Sequence, residues 1–230
     1  NKLRIHSINS TTKAGSGHPT SCMSCAEIMS SLFFSELGKK DEFIMSKGHA
    51  APILWAAYAE AGLIDKKELL NLRKITSELE GHPTPNMPLV KVASGSLGQG
   101  LSAGVGMALA KRLKKEGRVY VLIGDGECAE GSVWEAANTA AHYKLGNLCA
   151  IIDVNRLGQS QPTIHGHLAR RYRKKFAAFG WNSVVVDGHS VSQLLAALNV
   201  ARKSEKPFAI ICKTFKGKGV SFLEDHENWH

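Results

Sequence analysis

Two short apolar runs, each ended by a polar cluster, constrain the fold of this 230-residue chain more than any other feature. Residues 119–123 form a run rich in β-branched side chains that ends at Gly124-Asp125-Gly126, and residues 149–154 form a second run that ends at Asn155. Runs of this length and composition are typical of buried strands in a parallel sheet. Because ligands of open α/β sheets bind outside the carboxyl ends of the strands, we expect a ligand site where these two runs end.

The polar residues at these two ends suit a divalent metal that holds a phosphorylated ligand. Asp125 offers a carboxylate oxygen, Asn155 an amide oxygen and Leu157 a backbone carbonyl. Mg²⁺ prefers about six oxygen ligands, usually one or two carboxylates completed by phosphates and water. Gly124 and Gly126 would let the backbone approach a diphosphate without a Cβ in the way. The alternative interpretation is a plain strand-end turn with a capping Asp and an unrelated Asn.

The alternation of predicted strands and helices indicates a single α/β domain over residues 1–230. Strands are predicted at residues 42–45, 119–123, 149–154, 181–187 and 207–213, and helices at residues 3–12, 20–37, 50–61, 63–73, 130–143, 166–180 and 191–203, with one more, rich in alanine, after Gly100. We expect Thr20 or Ser21 to cap the second helix and Asp65 to cap the fourth. Such alternation implies βαβ crossovers and a mainly parallel sheet with helices on both faces, a three-layer α/β/α fold.

Composition and charge narrow the class of protein. The positive residues behind the net charge of +9 are scattered, and no aromatic platform interleaves with them as a single-strand binder would require. The basic clusters at residues 111–115 and 170–175 therefore indicate mainly solvated helix faces. The positive field could still steer anionic sugar phosphates. No apolar run approaches the roughly 20 residues that cross a bilayer, and no signal peptide is recognisable at the start.

The five cysteines favour a reducing compartment, hence a cytoplasmic location, because their number is odd and they form no disulfide framework. Cys22 and Cys25 form a Cys-x-x-Cys pair that lacks the second pair of a zinc site. Since Ile28, Met29 and Leu32 continue the same apolar helical face, we interpret both thiols as core residues.

Two histidines lie in loops that could be functional. His18 occupies a glycine-rich break before a helix, and His82 lies in a proline-rich loop over residues 80–94. From the residues alone, a functional and a structural histidine are equally plausible. Glu130 and Glu135 lie five residues apart and so fall on different faces of one helix, where both could equally be N-terminal dipole partners.

Seven motifs accompany Gly-Asp-Gly along the chain. They are Gly-Ser-Gly-His-Pro-Thr-Ser at residues 15–21, Met-Ser-Lys-Gly-His-Ala at 45–50, Gly-His-Pro at 81–83, Gly-Ser-Leu-Gly-Gln-Gly at 95–100, Glu-Gly-Ser-Val-Trp-Glu-Ala at 130–136, Asn-Arg-Leu-Gly-Gln-Ser at 155–160 and Thr-Phe-Lys-Gly-Lys-Gly at 214–219. Gly-Asp-Gly followed by Asn155 is similar to the thiamine-diphosphate fingerprint. The seven motifs, in this order, narrow the resemblance to the transketolase family of thiamine-diphosphate enzymes.

The resemblance implies the diphosphate-binding (PP-type) fold, with thiamine diphosphate and Mg²⁺, Ca²⁺ or Mn²⁺ as cofactors. It implies that Asp125, Asn155 and the carbonyl of Leu157 are the metal ligands. The residues that it implies contact the cofactor or substrate are Ser21, His49, Gly95, Ser96, Leu97, Gly126, Asn155, Gln159 and Lys216. The family reaction moves a two-carbon ketol unit from a ketose phosphate to an aldose phosphate, in the pentose phosphate pathway.

The resemblance also implies catalytic residues and partners. His18, His82 and His230 match histidines of the substrate channel, Glu130 matches a member of a carboxylate network between two sites of a dimer, and Glu135 matches an interface residue. The sequence departs from the family in two ways. It ends before any pyrimidine-binding domain, and its loop at residues 38–41 is about ten residues shorter than the loop that most relatives carry ahead of the Ser-Lys-Gly-His motif. We therefore expect a pyrimidine-binding domain or subunit as partner, in a dimer or heterotetramer.

Two alternative functions stay open from the sequence. One is a related thiamine-diphosphate enzyme, of the dihydroxyacetone synthase or deoxyxylulose phosphate synthase type. The other is a non-catalytic, transketolase-like binding partner.

Overall fold

The computed structural model describes residues 1–227 and 229, and it confirms the predicted parallel α/β architecture. Its sheet has five strands in the order β1-β2-β3-β5-β4, and every neighbouring pair is parallel. The strands are β1 (Glu42–Met45), β2 (Val119–Gly124), β3 (Leu148–Val154), β4 (Asn182–Asp187) and β5 (Phe208–Lys213). All five predicted strands are present, with bounds that differ by at most one residue.

Helices cover both faces of the sheet and give the three layers. One face carries α1 (Lys2–Ala14), α2 (Pro19–Ser24), α3 (Ala26–Ser31), α4 (Ala51–Glu60) and α8 (Val191–Arg202). The other carries α5 (Gln99–Lys114), α6 (Gly131–His142) and α7 (Ala169–Ala178). Each face has its own apolar core, because alternate residues of the buried strands point to opposite sides: Tyr120 and Leu122 join the first core, and Val121 and Ile123 the second.

The register of the sheet brings the predicted site residues to one edge. Gly124 of β2 lies opposite Asp153 of β3, and Val154 of β3 lies opposite Lys213 of β5. The polar residues that follow these three strands therefore emerge side by side at the carboxyl edge.

Three predicted helices differ in the structure. The helix predicted at residues 20–37 is divided into α2, α3 and a π-helical turn at Leu32–Glu36. Neither Thr20 nor Ser21 caps it: Pro19 is its first residue, a position that needs no N–H donor, and His18 precedes it. The segment predicted at residues 63–73 is a 3₁₀ helix, Lys66–Asn71, although Asp65 does cap it by accepting from the Lys67 N–H.

The third difference lies in the basic helix predicted at residues 166–180, which is confined to Ala169–Ala178. It does present its cations to solvent, because Arg170, Arg171, Arg173, Lys174 and Lys175 are all exposed. The prediction of a solvated basic face is therefore confirmed.

The predicted core cysteines are confirmed, since Cys22, Cys25, Cys128, Cys149 and Cys212 are all buried and free of disulfides. Within the described residues, no helix combines the length and the apolar composition that a membrane crossing requires.

The short segment at residues 38–41 forms a closed turn ahead of β1. The Gly38 N–H donates to Asp41 Oδ2 over 2.9 Å, and the other carboxylate oxygen accepts from the Arg118 N–H over 2.8 Å. Strand β1 starts at the next residue and pairs in register with β2. The brief connection is thus compatible with an intact strand ahead of the His49 motif.

Candidate functional site

A cavity of about 330 Å³ lies at the carboxyl edge of the sheet. It is formed where the loops after β1, β2, β3 and β5 meet the glycine-rich turn before α5. Its lining contains most of the residues singled out from the sequence: His18, Ser21, His49, His82, Gly95, Leu97, Asp125, Gly126, Asn155, Leu157, Gln159 and Lys216.

The three oxygen donors proposed as metal ligands line this one cavity. The Asp125 carboxylate crosses from the end of β2 to the loop after β3, where Oδ2 accepts from the Arg156 N–H and the Thr163 hydroxyl, both over 2.9 Å. Asn155 Oδ1 accepts from the Leu157 N–H over 3.2 Å. Asp125 therefore connects the two strand ends, and Asp125 and Asn155 line the same cavity.

The three proposed oxygen donors have the composition of a Mg²⁺ site whose coordination is completed by the bound phosphates. Among the described residues no group of three or more His, Cys, Asp or Glu side chains could hold a metal by itself. The set here has one carboxylate, one amide and one carbonyl, which leaves the remaining positions to phosphate oxygens and water, as Mg²⁺ commonly accepts.

The electrostatics of the cavity favour a bound cation beside Asp125. Burial raises the pKa of Asp125 to about 6, and the nearby Asp153 carboxylate adds to the increase. Both effects destabilise the ionised carboxylate, and a divalent cation would offset them. On the other side of the loop, Lys216 Nζ donates to the Gly158 carbonyl over 2.8 Å, and burial, with Lys47 nearby, lowers the pKa of Lys216 to about 8.

The glycine of the strand-end turn leaves space that a ligand could use. Gly126 has an ordinary right-handed backbone, with φ of −62°. A Cβ built on it would meet only the Thr163 methyl, at 3.5 Å, which is normal van der Waals contact. Neither the backbone nor the packing of the protein therefore requires glycine here. The residues present thus fit a metal-bound diphosphate.

Three histidines converge on the cavity. The rings of His18 and His49 lie 5.6 Å apart and nearly perpendicular. His82 packs against Gly95, where an added Cβ would lie 3.0 Å from the imidazole Cδ2. Burial, followed by the positive charge of Arg73, lowers the pKa of both His18 and His82. Near neutral pH both rings are therefore uncharged hydrogen-bonding groups.

Some predicted residues lie elsewhere. Ser96 and Glu130 are exposed and do not line the cavity, and Glu135 is exposed on α6. Gln159 lines the cavity but is also exposed, so it lies at the mouth. His230 lies outside the described residues.

Sequence reasoning missed Glu127, which is buried in the cavity wall. Its carboxylate accepts from the Ser46 hydroxyl, from the Gly98 N–H over 2.9 Å and from the Gly124 N–H over 3.0 Å. It thereby connects the loop after β1, the glycine-rich turn and the end of β2. The signal was a charged residue directly after Gly-Asp-Gly, in a segment otherwise bounded by apolar runs.

Two more missed residues are Lys47 and Asp153, which are almost completely buried and joined over 2.5 Å. Lys47 was visible in the motif at residues 45–50, but nothing in the sequence showed that Asp153, within the strand predicted at residues 149–154, would be its partner.

The fold and the cavity together define a ligand-binding α/β domain whose site lies at the carboxyl ends of parallel strands. The comparison with protein families is more specific: residues 1–230 match the family described as "Transketolase, thiamine diphosphate binding domain". The chain belongs to this family.

Similar proteins are named transketolase. The human transketolase is 55% identical over 241 aligned residues, an alignment that covers 100% of this chain and 38% of the human protein. A crystal structure of transketolase from Campylobacter jejuni has a TM-score of 0.92 and 31% identity, and covers 100% of this chain and 39% of that one. A Pichia stipitis transketolase in complex with sedoheptulose 7-phosphate has a TM-score of 0.87 and 28% identity, over 95% of this chain and 36% of that one.

The chain thus spans just over a third of the length of these relatives. Its alignment with the human protein is also longer than the chain itself, 241 positions against 230 residues, so this chain carries gaps there. The length difference is of the size predicted for the loop at residues 38–41.

Proposed function

We propose that this chain supplies the diphosphate- and metal-binding half of a transketolase site. In this proposal the complete enzyme transfers a two-carbon ketol unit from a ketose phosphate to an aldose phosphate, with thiamine diphosphate and Mg²⁺, Ca²⁺ or Mn²⁺ as cofactors. The observation that carries the proposal is one cavity that unites the oxygen donors of two strand ends with Gly126 and three histidines. The family membership supports the same function.

Asp125, Asn155 and the Leu157 carbonyl would hold the divalent metal, and Gly126 would lie against the diphosphate. Thiamine diphosphate, when bound, supplies the stabilisation of a carbanion that amino-acid side chains cannot provide. The chain's own contribution is to bind and orient this group at the edge of a rigid sheet. Gly95 and Leu97 would contact its ring region, with Ser96 beside them, and Gln159 would contact it from the mouth.

The histidines and Lys216 would act on the substrate side of the cavity. Neutral His18 and His82 can donate one hydrogen bond and accept another, which suits the recognition of sugar hydroxyls and the transfer of a proton near pH 7. Ser21, His49 and Lys216 would contact cofactor or substrate, and Lys216 is a donor suited to anionic oxygens. His230 would join the channel.

Further parts of the site would come from partners. We include in the proposal a pyrimidine-binding domain or subunit, a dimer or heterotetramer in which Glu130 joins a carboxylate network and Glu135 an interface, and a cytoplasmic location. The exposure of both glutamates supports such partners. Sugar phosphates are the proposed substrates, in line with the sedoheptulose 7-phosphate complex of the Pichia protein.

Calorimetry with thiamine diphosphate and Mg²⁺ tests the cofactor half of the proposal. We expect metal-dependent binding by the natural full-length protein and its loss when Asp125→Ala is combined with Asn155→Ala. Heat of binding that survives the double substitution would refute the metal assignment.

An assay of ketol transfer from xylulose 5-phosphate to ribose 5-phosphate tests the activity. We expect turnover with the pyrimidine-binding partner present, and a large loss in His82→Ala. Full activity in His82→Ala would contradict its role, and cofactor binding without any turnover would favour the non-catalytic binding partner.

A further inference from the structure

Beneath the proposed metal site lies a pair of opposite charges that is buried from solvent. Lys47 and Asp153 have 1% and 0% of their side-chain surface exposed, and Nζ lies 2.5 Å from Oδ2. Buried ion pairs contribute little to net stability, because desolvation of both charges cancels much of their attraction. The hydrogen bonds that the pair forms with neighbouring side chains are therefore more informative than its contribution to stability.

Lys47 and Asp153 form hydrogen bonds with each other and with neighbouring buried groups. The three protons of Lys47 Nζ face Asp153, the Ser21 carbonyl at 3.0 Å and the Ser24 hydroxyl at 3.5 Å. Asp153 Oδ1 accepts from the Thr214 hydroxyl, and Oδ2 accepts from Lys47 and, over 2.6 Å, from the Ser24 hydroxyl.

On the side of the pair the amide group of Asn155 meets only acceptors, and on its other side Oδ1 accepts from the Leu157 N–H over 3.2 Å. Asn155 Nδ2 lies 3.3 Å from Ser24 Oγ and 3.4 Å from Asp153 Oδ2. The single hydroxyl proton of Ser24 has acceptors in Asp153 and in the Ser21 carbonyl, so its oxygen faces Asn155 with a lone pair. A flipped amide would set its oxygen against a carboxylate and a hydroxyl oxygen, which is repulsive. The amide nitrogen must therefore face the pair, and the oxygen the opposite side.

We propose that the Lys47–Asp153 pair, through Ser24, positions Asn155 so that its amide oxygen, and not its NH₂ group, is presented to the divalent metal. Asp153 sets the orientation of the amide, and Lys47 neutralises a carboxylate that would otherwise compete for the cation. This inference rests on the proposed function, because it assumes that Asn155 is a metal ligand. Lys47 and Asp153 are positioning residues in this scheme and touch neither metal nor substrate.

Three single variants of the natural full-length protein test the proposal. Asp153→Asn replaces an obligate acceptor with an amide that can also donate, and Ser24→Ala removes the second acceptor. Thr214→Val is the matched control: it removes a hydrogen bond from the other oxygen of Asp153 and leaves the contacts of Asn155 in place. The measurement is Mn²⁺ binding in the presence of thiamine diphosphate, by electron paramagnetic resonance of free Mn²⁺, together with the melting temperature of each apo variant.

Residues that orient metal ligands typically change metal affinity by about 10- to 100-fold when they are substituted. We expect a loss in this range for Asp153→Asn, a smaller but clear loss for Ser24→Ala, and an affinity within about twofold of wild type for Thr214→Val. Ser24→Ala and Thr214→Val should both lower the melting temperature, since each removes a buried hydroxyl that donates to Asp153, and Ser24→Ala should do so by more, because Ser24 Oγ also contacts Lys47 and Asn155. If Asp153→Asn does not fold, the comparison between these two variants decides.

Equal Mn²⁺ affinities in Ser24→Ala and Thr214→Val would overturn the inference and leave the pair a purely structural role. If the wild-type protein and Ser24→Ala bind Mn²⁺ equally well, the positioning role is refuted and the proposed function is not. A wild-type protein that binds no Mn²⁺ with thiamine diphosphate refutes the proposed function, and this inference with it.

Discussion

Substitution of Gly126 by alanine tests whether the ligand, and not the fold, requires a glycine at this position. Its backbone, at φ −62° and ψ −37°, is one that alanine adopts without strain. Beyond its two chain neighbours, the added methyl would contact Thr163 Cγ2 at 3.5 Å and no other protein atom within 4 Å. Because Gly126 lines the cavity, the rest of the space around the methyl belongs to the cavity and its mouth.

We expect the added methyl group to stabilise the apo protein and to weaken cofactor binding. Gly→Ala at a compatible conformation reduces the entropy of the unfolded chain and stabilises by about 0.4–1 kcal/mol. Overpacking of a well-filled site costs about 1–3 kcal/mol, which corresponds to about 5- to 150-fold in the dissociation constant. We therefore expect an apo protein that is as stable as wild type or more stable, and that binds thiamine diphosphate with Mg²⁺ more weakly by that factor.

Urea denaturation of the apo protein and calorimetric titration of the cofactor measure these two quantities. Gly106→Ala on α5 is the control, because a Cβ there meets no atom within 4 Å and lies away from the cavity. It should match the stability gain and leave the affinity unchanged. Wild-type affinity in a folded Gly126→Ala protein would refute the idea that the diphosphate lies against this turn.

Two other substitutions test residues that surround the cavity. Gly100→Ala should lower the free energy of unfolding by about 1–3 kcal/mol, because its Cβ would lie 2.3 Å from Ser46 Oγ; urea denaturation measures it, and wild-type stability would contradict the packing described. Arg73→Gln should move the acid limb of the pH profile of kcat/KM to higher pH. Burial and then Arg73 lower the pKa of His82, whose neutral form is lost as the pH falls, so removal of this positive charge raises that pKa; an unmoved limb would show that His82 does not control it.

The carboxyl edge of the sheet could be predicted because strand signals and turn signals are local. Residues 119–123 and 149–154 carry the composition of buried parallel strands, and the polar residues directly after them had to emerge at one edge. The cap at Asp65 was equally visible, since a capping side chain bonds within its own first turn.

The break in the helix predicted at residues 20–37 was not visible in the same way. Its apolar pattern continues without interruption across Cys25, and the π-helical turn makes its contacts with residues distant in the chain, since Phe33 packs against Phe43 and Tyr58. The 3₁₀ form of Lys66–Asn71 has no local signal either, because helical periodicity over one or two turns does not separate the two geometries.

The chemical content of the site was determined by the sequence alone: the carboxylate of Asp125, the amide of Asn155, the glycines beside them and the histidines in their loops. Tertiary structure alone decided which groups support them. Glu127 reaches Gly98 across 29 positions of the chain, and Lys47 reaches Asp153 across 106. Contacts between residues so far apart in the chain form only when the sheet brings distant strands together. The sequence gives the order of the side chains, but it does not show which of them become neighbours in the fold.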